Sequence, residues 1–139
     1  MLHEILAMSF DSQAIFANLA EKEKTKGHHS PEGRAIRTLS RALNGWSMGA
    51  LSAPDILVLC DQAVEDWLKA RLNVSAWSPR SLPELLAPAL NKDLITQSDA
   101  VRLQRIHRVR SRPYHEQALT PQEVNGALEF CIQLVEKHW

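Results

Sequence analysis

Apolar side chains recur every three or four positions along most of the chain, which is the period of amphipathic helices. From Asp55 to Leu72 the apolar positions are Ile56, Leu59, Cys60, Ala63, Val64, Trp67, Leu68 and Leu72, with Asp61, Gln62, Glu65, Asp66 and Lys69 between them. The run Ile56–Cys60 alone would also suit a buried strand, but the period continues beyond strand length. The segment from Pro121 to Trp139 repeats the pattern with Val124, Ala127, Leu128, Cys131, Leu134 or Val135, and His138. Residues 31–44 and 98–110 predict shorter amphipathic helices, and 82–91 predicts a helix bounded by prolines. A further helix is predicted over 9–24, running into the mixed-charge tract Glu21–Lys26, which reads as a solvated helix end. No alternating Val/Ile/Thr/Tyr run predicts a strand.

Start signals agree with this period. Ser30-Pro31-Glu32 and Ser52-Ala-Pro-Asp55 place a capping hydroxyl before a proline in the first turn. Ser81-Leu-Pro-Glu84, Thr96-Gln-Ser-Asp99 and Thr120-Pro-Gln-Glu123 have capping-box or near-capping-box form. Gly27–Ser30 reads as a linker, Gly45, Gly49 and Pro54 as a turn around Trp46 and Met48, and Trp77-Ser-Pro-Arg80 as another turn. The expected fold is all-α, an up-and-down bundle of four or five helices with short connections.

Composition narrows the function classes. The chain has 139 residues, 45% of them hydrophobic, and 16 Lys+Arg balance 16 Asp+Glu. That is ordinary globular material of one domain's length, and net charge gives no argument for a nucleic-acid or membrane partner. Cys60 and Cys131 lie in apolar surroundings without metal or redox spacing, and are expected to be reduced core thiols. The N-terminal residues have no basic region and carry Glu4 within the apolar stretch, unlike a secretory signal. With no apolar run of membrane-spanning length, the expectation is a cytoplasmic protein without a membrane partner. The adjacent His28 and His29 have no companion ligands at matching spacing, and a loop is the simpler reading. No metal or cofactor pattern stands out.

One segment is unusual in its chemistry. Between Asp99 and Glu116 lie Arg102, Arg105, Arg108, Arg110 and Arg112 with His107 and His115, and no acid. Guanidinium forks match phosphate geometry as ammonium groups do not. Arg102, Arg105, Arg108 and Arg112 are therefore candidates for nucleic-acid contacts, against the plain alternative of a solvated helix face. Arg110 differs, because at about 100° per residue it falls about 20° from Leu103 and about 40° from Ile106 on the inward stripe. Pro113 disfavours helix at Arg112, so His115 is expected at a turn. An inward arginine beside a turn histidine suits either a structural pair closing a helix end or the cation and proton carrier of a phosphodiester site.

The stretch Leu103-Gln-Arg-Ile-His-Arg-Val-Arg110-Ser-Arg-Pro-Tyr-His115, followed by a capped C-terminal helix, resembles the HEPN superfamily. The hallmark of that superfamily is an Arg, four to six residues, and a His, with a small polar residue after the Arg. Arg110 and His115 are separated by four residues, and Ser111 occupies the polar slot where Asn is commoner. The upstream segment from Cys60 to Leu72 is similar to the superfamily's Ala-x-Glu-x-x-Leu-Lys-x-x-Leu helix. The resemblance covers about residues 30–139, leaving 1–29 as an N-terminal extension expected to be helical.

What the resemblance implies is a dimeric helical bundle whose two Arg/His pairs share one cleft. Many members are metal-independent endoribonucleases of toxin or defence type, and others are non-catalytic interaction or nucleic-acid-binding modules. In the enzymatic form Arg110 and His115 would be catalytic, with Ser111 and Tyr114 in support. A homodimer, RNA and a nucleotidyltransferase-type antitoxin are the implied partners. Antitoxins that modify a tyrosine act two residues after the motif histidine, and here that position is Gln117. A plain helical scaffold is the third reading.

Overall fold

The computed structural model describes residues 12–27, 30–111 and 119–137. Among them are six helices and no strand: α1 (Ser12–Lys26), α2 (Pro31–Ser47), α3 (Ala53–Arg71), α4 (Leu82–Asn91), α5 (Gln97–Ser111) and α6 (Pro121–Lys137).

The start signals act as local chemistry dictates. Ser30 Oγ accepts the Gly33 N–H at 2.9 Å and donates to the Gly27 carbonyl at 2.9 Å. Ser52 and Asp55 form a reciprocal capping box, as do Thr96 with Asp99 and Thr120 with Glu123. At α4 the Glu84 carboxylate accepts from both the Ser81 N–H and its hydroxyl. Each cap satisfies donors that the first helical turn leaves unpaired and is worth about 1 kcal/mol.

The core forms around α3, which packs against α2, α4, α5 and α6; α1 lies on α2, and α4 touches α5. Ile56, Cys60, Ala63, Val64, Trp67 and Leu68 of α3 are all fully buried. Replacing Trp67 with Ala would cost about 3–5 kcal/mol, because a ring buried on every side leaves a cavity that cannot collapse completely. Leu19 of α1 is also fully buried in the common core, and Asn18 Nδ2 donates to Glu136 Oε1 at 2.7 Å, tying α1 to α6. Asn125, nearly buried on α6, accepts from Trp46 Nε1 on α2.

Three details correct the expectations. Asp61 and Lys69, read as polar positions between the apolar ones, are buried, because a helix packed on four sides leaves little solvated face. Lys69 Nζ donates to the Ser78 carbonyl at 2.9 Å and lies 3.5 Å from Glu65 Oε2, fastening the connection after α3. Pro88 lies inside α4 rather than at its boundary; the ring removes one donor, and the helix ends within a turn, where Lys92 N–H still reaches the Pro88 carbonyl. Gly45 and Trp46 are not in a turn. Helix α2 continues to Ser47 with both buried, and the bare Cα of Gly45 lets the Leu51 side chain fold back over it.

Candidate functional site

Helix α5 carries the sequence-predicted candidates, and its cap sets its rotation. The Thr96 N–H donates to Asp99 Oδ2 at 3.0 Å, and the Asp99 N–H donates to Thr96 Oγ1 at 3.1 Å. From that start Ala100, Leu103 and Ile106 turn into the core, and Arg102, Arg105 and Arg108 are exposed. The three arginines do not make one patch. Advancing three residues at about 100° each turns the stripe by about −60° per step, so they spiral across the helix.

Arg102 and Arg105 border a groove of about 240 Å³ between α5, α6 and the N-terminal half of α3, floored by Leu57, Ile106 and Ala127. Arg108 lies at a second depression, of about 340 Å³, with Pro83, Gln104 and His107. The Arg102 guanidinium sits over the Phe130 ring, 4.2 Å from its centroid, a cation–π contact that restrains an otherwise mobile side chain.

On the flank facing α3, His107 Nδ1 lies 3.0 Å from Asp61 Oδ1, with the Asp61 side chain 2% exposed and that of His107 21% exposed. A carboxylate only accepts, so the ring carries its proton on Nδ1, and the contact fixes the imidazole's rotation. The basic segment has no acid of its own, and α3 supplies one from 46 residues earlier. The sequence carried a partial signal: on a helical wheel Asp61 falls about 20° from Leu68, on the edge of the apolar stripe.

Arg110 and Ser111 close α5. Their side chains, with Arg112, Tyr114 and His115, lie outside the described residues, as do His28 and His29. Among the described residues no cluster of three or more His, Cys, Asp or Glu could hold a metal ion, and no helix is long and apolar enough to cross a membrane.

Cys60 and Cys131 are free and buried. Their thiols face each other between α3 and α6, and the hydrogen bond that Cys60 donates to Cys131, together with burial, pushes the Cys60 thiol well above its usual range. The chain matches no family model, no curated protein and no solved structure.

Proposed function

We propose that this chain is an RNA-directed, HEPN-like protein, and specifically a metal-independent endoribonuclease whose Arg110 and His115 act at the interface of a homodimer. The observation that carries this reading is the exposure of Arg102, Arg105 and Arg108 on α5, none with a carboxylate partner among the described residues, on the helix whose last turn holds Arg110. Guanidinium groups with no carboxylate beside them among the described residues suit phosphate oxygens.

In the proposed reaction the ribose 2′-oxygen attacks the adjacent phosphorus and the bond to the 5′-oxygen breaks. His115 takes the 2′-hydroxyl proton, the partner's His115 donates one to the leaving 5′-oxygen, and Arg110 stabilises the charge gathering on the phosphate. The products are a 2′,3′-cyclic phosphate and a 5′-hydroxyl. A two-fold axis doubles a single Arg/His pair without further sequence.

Neutral overall charge favours a second reading, a non-catalytic HEPN dimer that binds partners or nucleic acid. Gln117 argues against a tyrosine-modifying antitoxin, although a nucleotidyltransferase-type partner acting elsewhere fits either reading. The test is cleavage of single-stranded RNA in excess chelator. His115→Ala and Arg110→Ala should each lower the rate by about 10²-fold or more. Arg110→Lys should recover a tenth of the activity at most (~10%), since an ammonium loses the bidentate grip. Unchanged cleavage in His115→Ala, with a folded dimer, contradicts the catalytic assignment.

A further inference from the structure

Gly126 lies inside α6, where glycine is the weakest helix former after proline. Other glycines have steric reasons for their positions: a Cβ at Gly33 would strike the Gly27 carbonyl, and one at Gly45 would strike Leu51. A Cβ at Gly126 would meet nothing within 4 Å, and its φ is not in the left-handed region. Neither backbone conformation nor packing requires glycine there. What its missing side chain leaves open is the groove beside Arg102 and Arg105, which Gly126 helps to line.

We propose that this groove is a subsite for one nucleotide of single-stranded RNA, flanking the site of cleavage; the proposal rests on the RNA-directed reading above. The floor of Leu57, Ile106 and Ala127 is apolar and suits the face of a base. At Gly126 the base can approach the helix backbone without a side chain between them. The Arg102 guanidinium, held on one side by the Phe130 ring, offers a planar cation for stacking, and Arg105 binds the phosphate.

Glu123 borders the same groove, with one carboxylate oxygen engaged by the Thr120 cap. Its charge repels phosphate from the α6 edge and directs the backbone along the arginine edge. It also disfavours an acidic peptide as occupant. Arg110 falls one helical turn beyond Ile106, roughly 6 Å along α5, so a strand whose nucleotide occupies the groove continues toward the Arg110 end of the helix.

The test uses the full chain and a fluorescent 2′-O-methyl oligonucleotide, which lacks the nucleophile and cannot be cut, with binding followed by anisotropy. Gly126→Leu should fill the groove and weaken binding at least about fivefold, the loss of one stacked base. Gly126→Ala should raise the urea midpoint, because it removes a helix-interior glycine with space to spare, while weakening binding less. Arg105→Ala should weaken binding and lower the salt slope by about one phosphate.

If the parent binds the oligonucleotide and Gly126→Leu, folded by circular dichroism, binds it equally well, the subsite is wrong while the RNA-directed reading stands. If a polyglutamate peptide displaces the oligonucleotide from the groove at equal concentration, the occupant is misidentified. If the parent binds no oligonucleotide, both proposals fall. Gly126-dependent binding without any cleavage supports the subsite and removes the nuclease.

Discussion

Truncating His107 tests whether α5 is held by the carboxylate buried on α3. The His107 side chain remains 21% exposed, so water competes for its hydrogen bond to Asp61. A hydrogen bond to a charged group nets about 1.5–3 kcal/mol, and the coupling between Asp61 and His107 should fall in that range. Asp61 has further interactions besides this bond. The cost of His107→Ala should therefore stay below the roughly 3–5 kcal/mol of a wholly orphaned buried charge. Asp61→Asn keeps an acceptor in the same place and should cost less than Asp61→Ala.

The assay is a double-mutant cycle, Asp61→Ala with His107→Ala, in equilibrium urea unfolding followed by tryptophan fluorescence. Arg108→Ala serves as the control. That side chain is exposed one residue away and should change stability by no more than about 0.5 kcal/mol. A coupling energy under about 0.5 kcal/mol would refute the view that this pair holds α5 against α3.

Two further outcomes follow from burial. Asp66, half-buried on α3, has its carboxyl pushed up mainly by burial, with Glu65 adding to the shift and Arg34 and Lys69 opposing it. A native-state pKa above the unfolded one means that ionisation weakens the fold, so this contribution to stability is lost as pH rises through the raised value. Asp66→Asn should therefore raise Tm at pH 7, and the gap should close as pH falls toward 3.8. Cys60 and Cys131 should resist thiol reagents in the native state and react once urea exposes them, since both are buried and the Cys60 thiolate is disfavoured. Rapid native labelling would mean that α3 and α6 open far more readily than their packing implies.

Local chemistry was legible in the sequence because it acts within a few residues. The caps at Ser30, Ser52, Ser81, Thr96 and Thr120 each join a side chain to backbone or carboxylate three positions on, and all five start helices. Interactions between helices were not legible in the same way. Periodicity gives each helix an apolar stripe but not its rotation or height against a neighbour, and those decide that Asp61 meets His107 and that Asn125 meets Trp46. The groove was hidden for the same reason, since it gathers residues from α3, α5 and α6. In sequence Gly126 is one glycine among five, and only the open space around it separates it from Gly33 and Gly45. The place of Pro88 was not legible either, because a proline near a helix end looks the same in sequence whether it lies inside or outside the last turn.

The chemistry of the RNA ends tests the central claim most directly. Single-stranded RNA incubated with the full chain in excess chelator, then analysed by mass spectrometry, should give fragments ending in 2′,3′-cyclic phosphate with 5′-hydroxyl partners, and none of these with His115→Ala. Fragments bearing 3′-hydroxyl and 5′-phosphate ends, or intact RNA after prolonged incubation with the parent protein, would contradict an Arg110/His115 endoribonuclease that uses the substrate's own hydroxyl.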